Sequence, residues 1–134
     1  MKSKTFIIVF FAIVAVLAAV SYYFSVTIDK SERSFSAVAS RDGKYKAVKF
    51  TIQSTGASKF CLDTISVMLT AYPDDAAERI KQYEVYAAPC DAAPKIEWQS
   101  DSALQITFAP GAKPPRTKDI DVTKTVHVMF VERK

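Results

Sequence analysis

KYKAVKFTIQ, residues 44–53, decides the fold class. Val48, Phe50 and Ile52 fall on one side at period two, and Ala47, Lys49 and Thr51 fall on the other. Period two marks a strand, because successive side chains leave opposite faces of a sheet. Just ahead, Ser40-Arg41-Asp42-Gly43 reads as a tight turn: Asp bonds its own backbone and Gly accepts φ > 0. Ahead of that turn, Ser34 to Ser40 (SFSAVAS) alternates weakly and is expected as a first strand. On the other side, Ser54 to Ser58 is a polar break, followed by a second long strand from Cys61 to Thr70. Ile65, Val67 and Leu69 share one face there, and Cys61 has the same parity, so it is expected to point inward.

Pro73 ends that strand, because proline cannot donate to a ladder. Asp75-Ala76-Ala77-Glu78 has capping-box spacing and predicts a helix from Ala76 to Gln82. The acids Asp74 and Asp75 are read as serving the helix start and its dipole, not catalysis. Tyr83 to Ala87 is a short strand, and Pro89 to Pro94 is a proline-bounded loop. Lys95 to Gln99 and Leu104 to Phe108 alternate on either side of Ser100-Asp101-Ser102, which is a hairpin signature. Trp98 shares a face with Ile96 and is expected in the core opposite Leu104 or Ile106; an exposed indole would instead mark a binding surface. Ala109 to Lys118 is an irregular loop whose charges are Lys113, Arg116 and Lys118, and Val126 to Val131 is a last strand. The expected fold is mainly β: six or seven strands and one short helix, as a small antiparallel β-sandwich or curled sheet.

Upstream lies TFIIVFFAIVAVLAAVSYYF, residues 5–24, without charge, proline or glycine. At about 1.5 Å per residue its twenty residues span about 30 Å, the thickness of a bilayer's hydrocarbon core. Lys2 and Lys4 precede it, and the far flank from Asp29 to Arg33 sums to zero charge, which keeps the N-terminus in the cytoplasm. Tyr22, Tyr23 and Phe24 fall where an outer aromatic belt would sit. Residues 1–28 are thus expected as a transmembrane signal-anchor, 29–33 as a juxtamembrane linker and 34–134 as an extracytoplasmic β domain. Two other readings exist. Ala19 and Ser21 flank Val20 at the spacing of a cleavable signal peptide, which would release a secreted or periplasmic form; the apolar run, however, continues to Ile28. A buried soluble helix would need a much larger domain to cover it.

The remaining residues suffice for one domain with its own core. Without the anchor and its flank, 14 bases meet 12 acids, a balance of +2. No basic stripe with interleaved aromatics is present, so a nucleic-acid partner is not expected. Three glycines exclude glycine-rich phosphate loops. Cys61 and Cys90 are the two cysteines, and in an exported domain an even count reads as a disulfide. The rivals are two free buried thiols or half a metal site, but one histidine cannot complete a four-ligand Cys/His zinc site.

Two segments resemble known motifs. Ser40 to Val48 is similar to the S-x-D-G-x-x-x-A-V turn-and-strand of β-propeller blades, and Trp98 to Ile106 to their W-x-S-D-x-x-L-x-I hairpin. The pair also resembles a family of small uncharacterised bacterial proteins with an N-terminal membrane segment. That resemblance implies a bacterial protein; with the charge bias around residues 5–24, the expected place is the bacterial inner membrane, as a single pass with an extracytoplasmic C-terminal domain. It carries no catalytic residue. A full propeller is excluded, because blades repeat about every 40–45 residues and at least four are needed.

No catalytic, cofactor or metal residues are assigned. His127 lies on the strand face of Met129 and Val131 and reads as a surface residue. Asp119 and Asp121 share a strand face, but a calcium shell needs more than two carboxylates. A Cys–His nucleophile would require a thiol left reduced after export. The loop bearing Lys113, Arg116 and Lys118 is the candidate contact surface, stiffened by proline and suited to an anionic lipid, a cell-wall polymer or an acidic partner. The expected function is a non-enzymatic membrane-tethered accessory or interaction domain with a protein partner in the envelope. The alternatives are an immunity or inhibitor protein against a periplasmic toxin, and a hydrolase with an unrecognised site.

Overall fold

The computed structural model describes residues 2–28, 31–56, 59–111 and 116–134. The apolar run lies in one helix, α1 (Lys2–Ile28), whose side chains from Lys4 to Ser25 are all exposed. Nothing in the β domain covers that stretch, which rules out the buried-helix reading. An exposed apolar helix of this length suits a bilayer or a signal sequence, and the domain's own core is built without it.

Eight strands follow: β1 (Ser31–Ala39), β2 (Tyr45–Ser54), β3 (Phe60–Leu69), β4 (Glu84–Pro89), β5 (Lys95–Ser100), β6 (Ala103–Phe108), β7 (Arg116–Thr117) and β8 (His127–Glu132). They form two sheets. The larger has the order β1-β2-β3-β4-β7 and is antiparallel throughout. The smaller has the order β5-β6-β8. There the β5–β6 pair is the expected antiparallel hairpin, but β8 joins β6 in parallel. The expectation of purely antiparallel sheets is corrected at that one pair. Alternation shows that a segment is a strand, not which way its partner runs.

The main core lies between the sheets. Tyr45, Ala47, Ile65, Val67, Tyr86 and Ala88 come from the larger sheet, and Trp98, Leu104, Ile106 and Val128 from the smaller. The Tyr86 and Phe130 rings stack across this gap with centroids 6.3 Å apart. Trp98 donates its indole N–H to the Val38 carbonyl at 2.9 Å, so it ties the smaller sheet to strand β1. A second core lies on the opposite face of the larger sheet, where Val48, Phe50 and Met68 meet Ala76 and Ala77. Strand β2 is therefore buried on both faces, as its burial from Tyr45 to Val48 shows.

The short helix, α2 (Ala76–Arg79), has 4 residues and ends before the expected Gln82; after the extended Ile80 a 3-10 turn follows at Lys81–Tyr83. The expected capping box is absent. Asp75 has φ −66° and ψ −12°, already helical, so its side chain is not placed to cap. Its carboxylate meets Arg79 at 3.4 Å, and Glu78 meets Arg33 of β1 at 3.0 Å. Asp74 takes a hydrogen bond from the Lys46 ammonium, which also donates to the Tyr72 carbonyl. These pairings leave the two acids no capping part.

The expected linker 29–33 is also corrected. Ser31, Glu32 and Arg33 already pair with β2, opposite Ser54, Gln53 and Ile52. Asp29 and Lys30 lie outside the described residues. The two sulfurs of Cys61 and Cys90 are 1.93 Å apart, with a Cα separation of 5.4 Å, so a disulfide joins the start of β3 to the end of β4.

Candidate functional site

The contact loop expected from sequence is only partly a loop. Lys113 lies outside the described residues. Arg116 belongs to β7, where Arg116 and Thr117 pair with Ala87 and Tyr86 of β4, and Lys118 follows, donating its backbone N–H to the Val85 carbonyl at 2.8 Å. This pairing gives Arg116 and Lys118 fixed places beside β4. The structure adds Lys81, from the 3-10 turn after α2, and Glu84, the first residue of β4. Together with Val85 and Thr117 they line an open hollow of about 460 Å³.

A bulge shapes its floor. Ile65 pairs with Tyr86 and Ser66 with Glu84, so Val85 is the extra residue of β4. Val85 and Tyr86 are both buried as a result, and Glu84 is turned onto the Ser66 side. Glu84 is thereby a nearly buried carboxylate, its side chain 7% exposed. Its Oε1 meets the Arg116 guanidinium at 3.2 Å, while Arg116 itself is two-thirds exposed. Glu84 Oε2 and Ser66 Oγ are buried with no hydrogen-bond partner among the described residues. A carboxylate so placed demands positive charge close by, because an unpaired buried charge costs several kcal/mol, roughly. Arg116 supplies that charge at the rim. Lys81 and Lys118 are exposed and make no ion pair among the described residues, so their charge faces solvent.

The other candidates are placed elsewhere. His127 is exposed, on a face without other titratable partners in hydrogen-bond contact among the described residues. Asp119 and Asp121 do not converge on a cation site. The Asp121 carboxylate accepts the backbone N–H groups of Thr123, Thr125 and Val126 at 3.1, 2.9 and 2.8 Å, together with the Thr123 hydroxyl. No metal-binding group of three His, Cys, Asp or Glu occurs among the described residues. The disulfide takes both cysteines out of nucleophilic chemistry. The two blade-like segments lie in different sheets, and their turns touch: the Asp42 N–H donates to Asp101 Oδ1 at 3.0 Å.

Sequence reasoning named Arg116 and Lys118 but missed Lys81 and Glu84. The acid inside YEVYA was the available signal, since a charge within a buried strand needs a partner. Comparison with protein families, curated proteins and solved structures finds no match for the chain.

Proposed function

We propose that this chain is an extracytoplasmic interaction domain, tethered by α1 as a signal-anchor in the bacterial inner membrane, that receives an acidic segment of an envelope protein at the Lys81–Arg116–Lys118 hollow. The observation that carries the reading is the convergence of three bases from two separate segments around one nearly buried carboxylate. Glu84 holds Arg116 at the rim, and the two lysines widen the positive field beyond it. Exposed charges of this kind steer an anionic partner and set its register more than they set affinity. Lys2 and Lys4 before the apolar run support the orientation, and the disulfide suits an oxidising compartment.

The test places a photo-crosslinking residue at Thr117 of the full chain in its native membrane. A protein adduct is expected that high salt weakens and that the double variant Lys81→Glu/Lys118→Glu loses. An adduct unchanged by both treatments, or one made only with a sugar or phosphate polymer, overturns the proposal.

A further inference from the structure

The register of the larger sheet fixes which of its ends lies near the membrane. Helix α1 ends at Ile28, and Ser31 is the first residue of β1. Three Cα steps span at most about 11 Å. Ser31 pairs with Ser54, the last residue of β2, and such partners lie about 4.5–5.5 Å apart. Ser54 is therefore within about 16 Å of the helix end, whichever way the chain leaves the bilayer. Phe60, the first residue of β3, pairs with Ser54, and these two form the tip of the sheet at the end where α1 emerges.

That tip carries the most exposed large apolar side chain of the described β domain. Phe60 is 50% exposed, more than Val122 at 45% or Met129 at 44%. Lys59 beside it is exposed as well. The two border a shallow hollow of about 500 Å³ with Gln53, Ser54, Thr55 and Cys61. The base of the tip is held stiffly, because Cys61 is bonded to Cys90 at the end of β4. A stiff tip with one aromatic ring and an adjacent cation has the chemistry of the bilayer interface, where rings sit at headgroup level and lysine reaches lipid phosphate.

We propose that the start of β3 is a second membrane contact, with the Phe60 ring in the interfacial zone of the bilayer that holds α1 and Lys59 on its anionic headgroups. The proposal rests on the reading of α1 as a retained anchor. Two attachments would hold the larger sheet in one attitude. They would also set the basic hollow off the surface: Glu84 pairs with Ser66, six positions along β3 from Phe60, or about 20 Å at strand rise. An acidic partner segment could then reach the lysines without competing with anionic lipid.

The experiment uses the full chain in vesicles of mixed zwitterionic and anionic phospholipid, with the variant Phe60→Trp. Trp98 is buried and supplies a constant background. The added indole should be quenched several-fold more by lipids brominated near the headgroup than by aqueous iodide. Lys59→Glu in that variant should weaken the lipid quenching in anionic vesicles. Free iodide quenching without lipid quenching, in protein that alkaline carbonate does not extract, overturns the tip contact and leaves the anchor standing. Extraction by carbonate overturns both. Lipid quenching that Lys59→Glu does not change overturns the role given to Lys59.

Discussion

Tyr86 is fully buried between the sheets, and its hydroxyl has no hydrogen-bond partner among the described residues. Burial pushes the phenol above its ordinary 10.0, and the charges of Asp63 and Asp91 add to that. A polar group desolvated without return costs free energy, so removing it while keeping the ring should cost nothing. Tyr86→Phe is expected to be neutral or to stabilise by up to about 1 kcal/mol in chemical denaturation; a clear loss would show that the hydroxyl is bonded. Asp121 presents the reverse case. Burial raises its carboxyl, but the Thr123 hydroxyl and three backbone N–H groups outweigh burial and hold it below its ordinary 3.8. A lowered folded value means that the stabilisation is complete above 3.8 and is lost as pH falls through the folded value. Asp121→Asn should cost about 1–3 kcal/mol near neutral pH. The gap to the parent protein should close as urea titrations move into acid, and a gap constant with pH would refute the assignment. The pair Asp119 and Asp121 was visible in the sequence, but its purpose was not. A carboxylate that gathers N–H groups around a turn has the same letters as one awaiting a cation.

At the scale of elements, alternation located β2, β3, β5 and β6 to within a residue or two, because each sends apolar side chains at period two into a core. It was silent where burial is slight. Strand β1 is exposed along almost its whole length, so nothing in SERSFSAVA marks its start at Ser31. Strand β7 is two residues long, too short for any period. Helix α2 stops at Arg79 because the chain turns at Ile80, whose φ of −113° is extended. The hairpin was legible, and so was its burial: Trp98 pairs with Leu104 and is 7% exposed. Its indole also reaches β1, a link between sheets that period-two reading cannot express. Trp98→Ala should cost about 3–5 kcal/mol and unfold a domain of ordinary stability. Trp98→Phe keeps most of the packing and should lose about 1 kcal/mol with the hydrogen bond. Denaturation followed by circular dichroism orders the two variants, and a Trp98→Phe variant as stable as the parent would deny the bond to Val38 any weight.

For the whole molecule, the sequence revealed an apolar N-terminal segment, one β domain and two cysteines available to pair. The hollow was not legible, since Lys81 and Glu84 meet Arg116 only through the β4–β7 pairing and the bulge at Val85. The disulfide closes a loop across 29 positions, and the loop-closure estimate gives about 3–4 kcal/mol of stabilisation. The variant Cys61→Ser/Cys90→Ser should therefore lower the unfolding free energy by that amount and move the urea midpoint down in proportion, and an unchanged midpoint would remove the bridge from the stability of the domain. The parallel seating of β8 has a consequence for the order in which the domain comes together. Strand β8 supplies Val128 to the main core and pairs along all six residues of β6, which precede it in the chain. A chain emerging N-terminus first completes β1 to β3 early, as local hairpins, while β6 waits with an open edge until residues 127–132 arrive. An unpaired edge beside an open core is prone to misassembly. Residues 127–132 thus act as a closing clasp: until they pair, the half-built domain offers the backbone of β6 to any other strand that meets it.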